Sequence, residues 1–164
     1  MEVKASVQLN SKQLYEFLMR HTYCQFSGIL GLVLSIGGFV GFFTLLNNKN
    51  VSAAYLGALF GIGLLFTVIQ PLIVYRNARK QAKAYKEFPL EYTISERGIE
   101  VKQDDAEGSN EWDNVMKIVS TKRLIIIYTS SVHAYVIPRE VLKDSMEDFK
   151  ELVKTYCQAS YINI

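Results

Sequence analysis

Residues 22–48, TYCQFSGILGLVLSIGGFVGFFTLLNN, and residues 50–75, NVSAAYLGALFGIGLLFTVIQPLIVY, form two uncharged apolar stretches separated by Lys49. About 20 apolar residues are needed to cross a bilayer core of about 30 Å, because a helix rises about 1.5 Å per residue. Each stretch is longer than that. The sequence therefore predicts a transmembrane hairpin with helices at 22–48 and 53–75, joined by a short extracytoplasmic turn at 49–52. The first stretch begins after about twenty polar and amphipathic residues and lacks a small-residue cleavage site, so we expect no cleaved signal.

The basic residues beside the hairpin predict its orientation. Only Lys49 lies between the two stretches, whereas eight basic residues flank them: Lys4, Lys12, Arg20, Arg76, Arg79, Lys80, Lys83 and Lys86. Short loops rich in Lys and Arg stay in the cytoplasm. We therefore expect both termini to face the cytoplasm.

Residues 76–86 form a basic stalk after the second stretch. Its cations recur every three or four residues, at Arg76, Arg79, Lys80, Lys83 and Lys86, which places them on one side of a continuing helix. Near an anionic leaflet each cation contributes about 1 kcal/mol, so the stalk could gain up to about 5 kcal/mol from lipid headgroups. The alternative is a topology determinant that makes only generic phosphate contacts.

Small residues indicate how the two helices approach each other, since each stretch contains a Gly-x-x-x-Gly motif. A turn centred between Lys49 and Asn50 brings Gly38 level with Gly61 and Gly41 level with Ala58. We expect these four residues to pack the hairpin, although the same glycines could serve dimerisation. Pro71 removes a backbone donor near the inner end of the second helix, which predicts a modest kink.

The first 21 residues predict a strand and a short helix. Residues 3–9 alternate apolar and polar side chains, a strand pattern that needs a sheet to join. Asn10 with Gln13 resembles a helix start, and the helix that follows is amphipathic. We expect this helix to lie at the membrane interface.

Residues 87–164 have the composition of a small water-soluble domain. After Pro89 the apolar period changes to two, and about five strands are predicted, with an acidic loop at 104–110. Ser145 and Asp148 then open a helix whose apolar stripe can cover one side of a sheet: Phe149, Leu152, Val153 and Tyr156. The predicted fold class is a membrane protein of α+β type, with an antiparallel β domain in the cytoplasm capped by a C-terminal helix.

The terminal domain carries three short motifs: Tyr92-Thr-Ile-Ser95 before Gly98-Ile99, Glu111-Trp112 before Val115 and Lys117-Ile118, and Ile137-Pro138-Arg139. In this order the chain resembles the YcxB-like family of small bacterial membrane proteins. The resemblance implies a pleckstrin-homology-like barrel capped by a helix. It also implies that Trp112 anchors the core with one hydrogen bond from its indole, and that Pro138 ends the last strand. The family has no agreed activity, so no catalytic residue follows from it.

Few residues have side chains suited to catalysis or metal binding, and each has a simpler structural interpretation. The spacing of Asp105 and its acidic neighbours does not match a calcium loop, since position twelve is Met116. Ser130 and Ser131 near His133 lack an orienting acid and oxyanion donors. His21 and Cys24 are two ligands at most, which is too few for a zinc site. We therefore predict no catalytic residue, metal or cofactor.

The remaining composition limits the partners. The net charge of +2 gives no general case for nucleic-acid binding, and Cys24 and Cys157 would lie in a reducing compartment, where a disulfide is not expected. The central part of each apolar stretch holds no ionisable side chain, which argues against transport by a monomer.

The sequence favours a non-enzymatic protein of the bacterial cytoplasmic membrane that presents a cytoplasmic domain for interaction or lipid sensing. Its expected partners are membrane lipids and a protein, and a homo-oligomer is an open alternative. The main rival is an accessory or immunity-like subunit that acts through its hairpin. An enzyme ranks third, and activity lost on changing His133 or Asp105 would favour it.

Overall fold

The computed structural model describes residues 2–157 and 160–162. The chain forms two compact units. One unit, called here the β domain, comprises Met1–Phe17 and Gln81–Ile164, and the other, called the hairpin unit, comprises Leu18–Lys80. The structure is therefore of α+β type, with its strands and its apolar helices in separate units.

The first sheet of the β domain combines one strand that precedes the hairpin unit in the chain with three strands that follow it. Its order is β1 (Glu2–Val7), β2 (Leu90–Ser95), β3 (Gly98–Gln103) and β4 (Ala106–Glu111), and every pairing is antiparallel. Val3 pairs with Ile94, and Ile94 pairs with Ile99, so their buried side chains share one face. The predicted N-terminal strand therefore extends the sheet of the terminal domain.

The strands of the second sheet are shorter, and its strand β6 buries four consecutive side chains. Its order is β7 (Ala134–Pro138), β6 (Leu124–Tyr128), β5 (Lys117–Ser120) and β8 (Ser160–Ile162). The pairs β5–β6 and β6–β7 are antiparallel, whereas β8 pairs with β5 in parallel. The predicted antiparallel β domain is therefore present, although β4 and β8 are additional to the expected strands and β8 pairs in parallel.

The acidic segment 104–110 is a hairpin and not a loop. Only Asp104 and Asp105 form the turn, with Asp104 at a left-handed φ of 52°, and β4 begins at Ala106. Nearly all side chains of β4 are exposed, so backbone pairing to β3 holds it in place. Its sequence, AEGSNE, lacks the apolar alternation on which the prediction depended.

Helix α1 (Ser11–Cys24) begins at the predicted capping box. The Asn10 side-chain oxygen accepts the backbone N–H groups of Lys12 (3.0 Å) and Gln13 (2.9 Å), and the Gln13 side chain accepts the Asn10 N–H (2.9 Å). Leu14 is buried. The first half of α1 belongs to the β domain, and its position at a membrane interface stays a prediction.

Two side chains of α1 bind loops of the second sheet. Gln13, only 6% exposed, donates from Nε2 to Glu140 Oε1 at 2.9 Å. Glu16 accepts a hydrogen bond from the Thr121 hydroxyl at 2.9 Å, and its second oxygen lies 3.9 Å from Arg123. The start of α1 is therefore fixed to the β5–β6 turn and to the segment after β7.

The C-terminal helix and the tryptophan follow the sequence-based expectations in most details. The described part of the helix, α5 (Met146–Tyr156), buries Phe149, Leu152 and Val153, although Tyr156 is exposed. Ser145 makes no side-chain capping bond. The buried Trp112 indole N–H donates to the Ser95 carbonyl at 2.8 Å, and β7 ends at Pro138, as the family resemblance implied.

The hairpin unit is built from apolar helices whose bounds differ from the predicted spans. Residues 22–24 end α1, Gln25 is extended, and α2 runs over Phe26–Leu45. After a connection at 46–52, α3 (Ala53–Leu64) leads into a π-helical turn, Leu65–Ile69, and then into α4 (Gln70–Glu87). A π turn therefore precedes Pro71, where the sequence predicted only a kink.

Candidate functional site

The basic stalk is part of α4, and its cationic side chains are exposed. All five predicted headgroup-contact residues are exposed: Arg76, Arg79, Lys80, Lys83 and Lys86. At about 100° per residue they fall within an arc of roughly 120° on the helix, whereas the buried Val74 and Ala78 lie on the opposite side. The spacing therefore gives α4 one cationic face.

Few contacts within the described part of the chain neutralise the positive charges of the cationic face. Arg79 lies 5.8 Å from the centroid of the Tyr75 ring, which is a cation–π contact. In the described part of the chain, the ion pairs join other residues, such as Lys4 with Glu2 and Lys150 with Glu147. The five cations are therefore available to an external anionic group.

The predicted glycine contacts divide into two groups. A Cβ added at Gly38 would lie 2.7 Å from the Leu59 carbonyl oxygen and 2.9 Å from the Gly63 nitrogen, so α2 and α3 are in close contact there. At Gly41 the nearest atom would be a Leu59 methyl at 3.3 Å. These two residues lie on the contact face of α2.

The prediction was wrong for the α3 side of this contact. Among the described residues, no atom outside the adjoining backbone of α3 lies within 4 Å of a Cβ added at Gly61, and both Gly61 and Ala58 are exposed. Gly38 does lie at the depth of Gly61, between Leu59 and Gly63, but depth alone does not decide which side of a helix faces its neighbour. Leu59, Ile62 and Gly63 form that side of α3.

Polar side chains of the hairpin unit converge on the π turn. The Ser35 hydroxyl donates to the Ile62 carbonyl at 2.9 Å and accepts the Phe66 N–H at 3.1 Å. The Tyr23 hydroxyl donates to the Phe66 carbonyl. Neither residue was predicted from the sequence, where their signal is a hydroxyl group within or beside an apolar stretch.

The end of the β domain away from α1 carries a polar cavity of about 580 Å³. Its lining comes from the ends of β4 and β7 and the loops beside β5 and β6: Asn110, Asn114, Thr129, Ser130, His133 and Tyr135. The Asn110 amide donates to the Tyr135 hydroxyl. We call this region, residues 114–116 and 129–133 with the cavity, the loop end.

Two exposed apolar side chains accompany this cavity. Met116 precedes β5 and is 63% exposed, and Val132 lies in the β6–β7 loop and is 66% exposed. The Met116 N–H donates to the Tyr128 carbonyl at 2.8 Å, which holds its loop against the end of β6. The opposite end of β5 leads to Thr121, which binds Glu16 of α1. The loop end is therefore the end of the sheet that α1 does not cover.

The outer face of the first sheet is acidic. A shallow cavity of about 420 Å³ there is lined by Glu91, Glu100, Glu107 and Lys102, among others. The Lys102 ammonium lies 2.7 Å from Glu107, its cross-strand neighbour. Its hydrogen bond lowers the pKa of the exposed Glu107 carboxyl and raises the pKa of Lys102. This pair is a solvated cross-strand contact.

The residues considered for catalysis have local structural roles. The Ser130 hydroxyl accepts the backbone N–H groups of Val132 (3.2 Å) and His133 (2.9 Å), which closes the β6–β7 turn. Asp105 is an exposed turn residue. Within residues 2–157 and 160–162, no cluster of three His, Cys, Asp or Glu residues could hold a metal ion. Cys24 is exposed and Cys157 is buried, and they are not joined by a disulfide.

The motifs that suggested a family lie between Tyr92 in β2 and Arg139 after β7. Residues 94–154 match the YcxB-like protein family. The YcxB-like segment thus begins inside β2, covers less than half of the chain, and contains Trp112 and the Ile-Pro-Arg step. The resemblance predicted from the sequence is confirmed for this segment. No curated protein and no solved structure matches the chain.

The YcxB-like segment does not include the whole β domain. It leaves out β1, which pairs with β2, and the basic face of α4. It contains the loop end and the Trp112 anchor.

Proposed function

We propose that the protein is a non-enzymatic membrane protein whose apolar hairpin anchors it and whose basic helix α4 binds an anionic lipid surface. The observation that carries this proposal is the continuity of α4: an apolar helix passes directly into a segment with five exposed cations on one face. Each cation near an anionic leaflet contributes about 1 kcal/mol. The five together give a salt-sensitive interaction of up to about 5 kcal/mol.

The proposed anchor consists of two helices that are long and apolar enough to cross a membrane, Phe26–Leu45 and Ala53–Glu87. Large apolar side chains such as Leu34, Ile36 and Val40 are exposed on the first of them, which suits a lipid environment. The basic residues that flank the hairpin support a cytoplasmic position for both termini, and the bacterial cytoplasmic membrane is the proposed location.

The order of elements supports a pleckstrin-homology-like interpretation of the β domain. Four antiparallel strands precede three further antiparallel strands and a helix, and β6 and α5 bury large apolar side chains. Folds of this kind serve several unrelated tasks, so the proposed activity rests on the residues of α4 and not on the fold.

Lysine acylation of the full chain in vesicles tests the lipid contact. The protein is reconstituted in vesicles of zwitterionic lipid and in vesicles that also contain an anionic phosphatidylglycerol lipid. A water-soluble acylating reagent is applied, and mass spectrometry measures the modification of each lysine. We expect slower modification of Lys80, Lys83 and Lys86 in the anionic vesicles, with the protection lost at high salt.

Exposed lysines of the β domain are the internal controls for this experiment. Lys117 and Lys122 are exposed on the β domain and should react at the same rate in both lipids. A substitution of Arg76 and Arg79 by Gln should weaken the protection of the neighbouring Lys80. Equal reaction of the α4 lysines in both lipids, at low salt, would contradict the proposal.

A second candidate function is the binding of a protein at the loop end. The observation that favours it is the pair of exposed apolar side chains, Met116 and Val132, beside a polar cavity on the end of the domain that α1 leaves open. Apolar anchors beside polar groups are typical of protein interfaces. The required partner surface has an apolar residue for each anchor and hydrogen-bonding groups for Asn114 and His133.

Photo-crosslinking distinguishes this second candidate. A photoreactive phenylalanine analogue at Val132 or Met116 should give one shared protein adduct in native membranes, and the adduct at Met116 should disappear when Val132→Asp is added. The same analogue at Asp105, an exposed turn residue, is the matched control. Adducts of the same protein from all three positions would count against a specific surface.

The rival role for the hairpin, as an accessory or immunity-like subunit, needs a test that leaves the β domain complete. A chain that ends at Lys86 keeps β1 but removes its partner β2, so its apolar face would lose its sheet. Loop-end variants such as Val132→Asp avoid this problem. Activity that survives such variants but is lost after changes on the exposed face with Gly57 and Gly61 would favour the hairpin or a homo-oligomer.

A further inference from the structure

The π turn Leu65–Ile69 shifts the backbone hydrogen bonds on both sides of Phe66 from the regular helical pattern. The Leu65 N–H bonds to the Ile62 carbonyl, and the Gln70 N–H bonds to the Leu65 carbonyl across the π turn. In a regular helix the Phe66 N–H would bond to Ile62 and the Gln70 N–H to Phe66. The Gln70 N–H therefore bonds to Leu65 in place of Phe66, and the Leu65 N–H uses the carbonyl that would accept the Phe66 N–H in a regular helix.

Two hydroxyl groups from the preceding helices take the place of those partners. Ser35 of α2 is 1% exposed, and its oxygen lies between the Ile62 carbonyl (2.9 Å) and the Phe66 N–H (3.1 Å). Tyr23 of α1 donates to the Phe66 carbonyl. Pro71 cannot donate, so it offers this carbonyl no alternative π-type bond from five residues ahead.

Close packing holds the same residues together. A Cβ added at Gly31 would lie 2.3 Å from the Phe66 ring, so only glycine admits the ring there. One added at Gly28 would lie 1.8 Å from the Thr22 carbonyl oxygen, so glycine also permits the bend between α1 and α2 that brings Tyr23 to Phe66. The hydroxyls, the glycines and the proline therefore act on one point of the second apolar helix.

We propose that the Ser35 and Tyr23 hydroxyls hold the π turn at Phe66 and thereby set the rotation of α4 about its axis. We call these two hydroxyl contacts the lock. The hairpin then has two states, a locked state with the π turn and a regular state in which the turn is an ordinary α-helix. A π turn accommodates one extra residue, so its conversion to a regular helix turns the following segment by about 100°. Each residue after the turn would then take the position of its successor. The cationic face that begins at Arg76 would rotate with it.

The sequence of α4 fits the locked state. In that state Val74 and Ala78 are buried. In the regular state Ile73 and Asn77 would occupy those two positions, and burial of the Asn77 amide would be unfavourable without a partner.

Site-directed spin labelling of the full chain in lipid vesicles tests the lock. In a background with Cys24→Ser and Cys157→Ala, single cysteines at positions 72–78 carry the label, and the accessibility of each label to oxygen and to a water-soluble nickel chelate is measured. The unaltered hairpin should show minima at 74 and 78. The Ser35→Ala variant with Pro71→Ala lacks the hydroxyl that binds the Phe66 N–H and the proline ring that would clash with the Thr67 carbonyl in a regular helix, so it should move both minima by one residue, to 73 and 77.

Three further variants make the result decisive. Ser35→Thr keeps the hydroxyl and should keep the minima at 74 and 78. Thr44→Ala should also keep them, because the Thr44 hydroxyl of the same α2 bonds only within its own helix, to Val40 at 2.9 Å and Gly41 at 3.1 Å. If the Ser35→Ala protein does not accumulate, Tyr23→Phe removes the other hydroxyl, the donor to the Phe66 carbonyl, at nearly constant volume and should move the minima in the same way. Minima that stay at 74 and 78 after loss of a hydroxyl would overturn the proposal.

Discussion

Gly38 and Gly61 lie at the same depth in the hairpin, but only Gly38 faces the neighbouring helix. Substitution by leucine at each position should therefore have different effects. An added side chain at Gly38 meets the backbone of Leu59 and Gly63, whereas one at Gly61 meets no atom within 4 Å. Gly38→Leu should therefore push α2 from α3, and Gly61→Leu should not. Crosslinking between Phe42→Cys and Phe60→Cys, whose aromatic rings lie 5.1 Å apart in the native protein, measures the separation. Equal crosslinking in the two leucine variants would contradict this assignment.

Tyr92 gives the β domain a defined alkaline sensitivity. Burial raises the pKa of its phenol above the usual value of 10.0, and the neighbouring phenols of Tyr85 and Tyr135 add to the rise. Below about pH 10 the phenol is neutral in both states, but above it only the unfolded chain ionises. The free energy of unfolding should then fall by up to about 1.4 kcal/mol per pH unit from this group, until the pH passes the raised pKa.

The comparison of Tyr92→Phe with the native chain measures this effect. The variant should lose less stability between about pH 8 and about pH 11, because its ring has no proton to release in either state. Denaturant unfolding in detergent can be followed by the fluorescence of Trp112, the single tryptophan, which is buried in the β domain. Tyr156→Phe, at an exposed position, is the matched control. An equal alkaline loss in Tyr92→Phe and the native chain would contradict the assignment.

At the scale of elements, two helix starts look alike in the sequence and differ in the structure. Asn10 caps α1 through two backbone N–H groups, whereas Ser145 makes no side-chain cap for α5. Asn10→Ala should therefore lower the free energy of unfolding by about 1 kcal/mol. Ser145→Ala should change it by less than about 0.5 kcal/mol. Denaturant titrations of the full chain compare the two, and a larger loss from Ser145→Ala would show that the capping assignment is wrong.

The elements that the sequence predicts well are those whose partners are close in the chain. The capping box needs only Asn10 and Gln13, and the α5 stripe needs only helical spacing. The strand β4 was missed because its pairing to β3 uses backbone groups, which every residue carries. The contact side of α3 was missed because it depends on the fit of particular side chains, such as Phe39 against Gly63, and not on depth.

At the scale of the whole molecule, the β domain is interrupted by the hairpin. The strand β1 precedes both apolar helices and yet pairs along its full length with β2, which follows them. The alternation at residues 3–9 predicted a strand in need of a sheet, and the structure supplies that sheet from residues more than 80 positions later in the chain. Such long-range pairing leaves no local signal, so the sequence indicated the strand but could not fix its register.

The interruption predicts that residues 87–164 do not form a stable domain alone. The inner face of β1 buries Val3 and Val7, and Leu9 follows them. A fully buried side chain of this kind contributes about 1.5–3 kcal/mol, and the three together approach the 5–15 kcal/mol that stabilises a typical domain.

Fusion of residues 1–17 to residues 87–164 through a flexible linker should therefore restore cooperative unfolding, which Trp112 fluorescence measures. Val3→Asp with Val7→Asp should abolish the rescue, while Lys4→Asp with Ser6→Asp on the exposed face should preserve it, since only the first pair places charge in the core. Cooperative unfolding of residues 87–164 at the stability of the fusion would mean that β1 is an accessory strand and that the hairpin is inserted beside the domain and not within it.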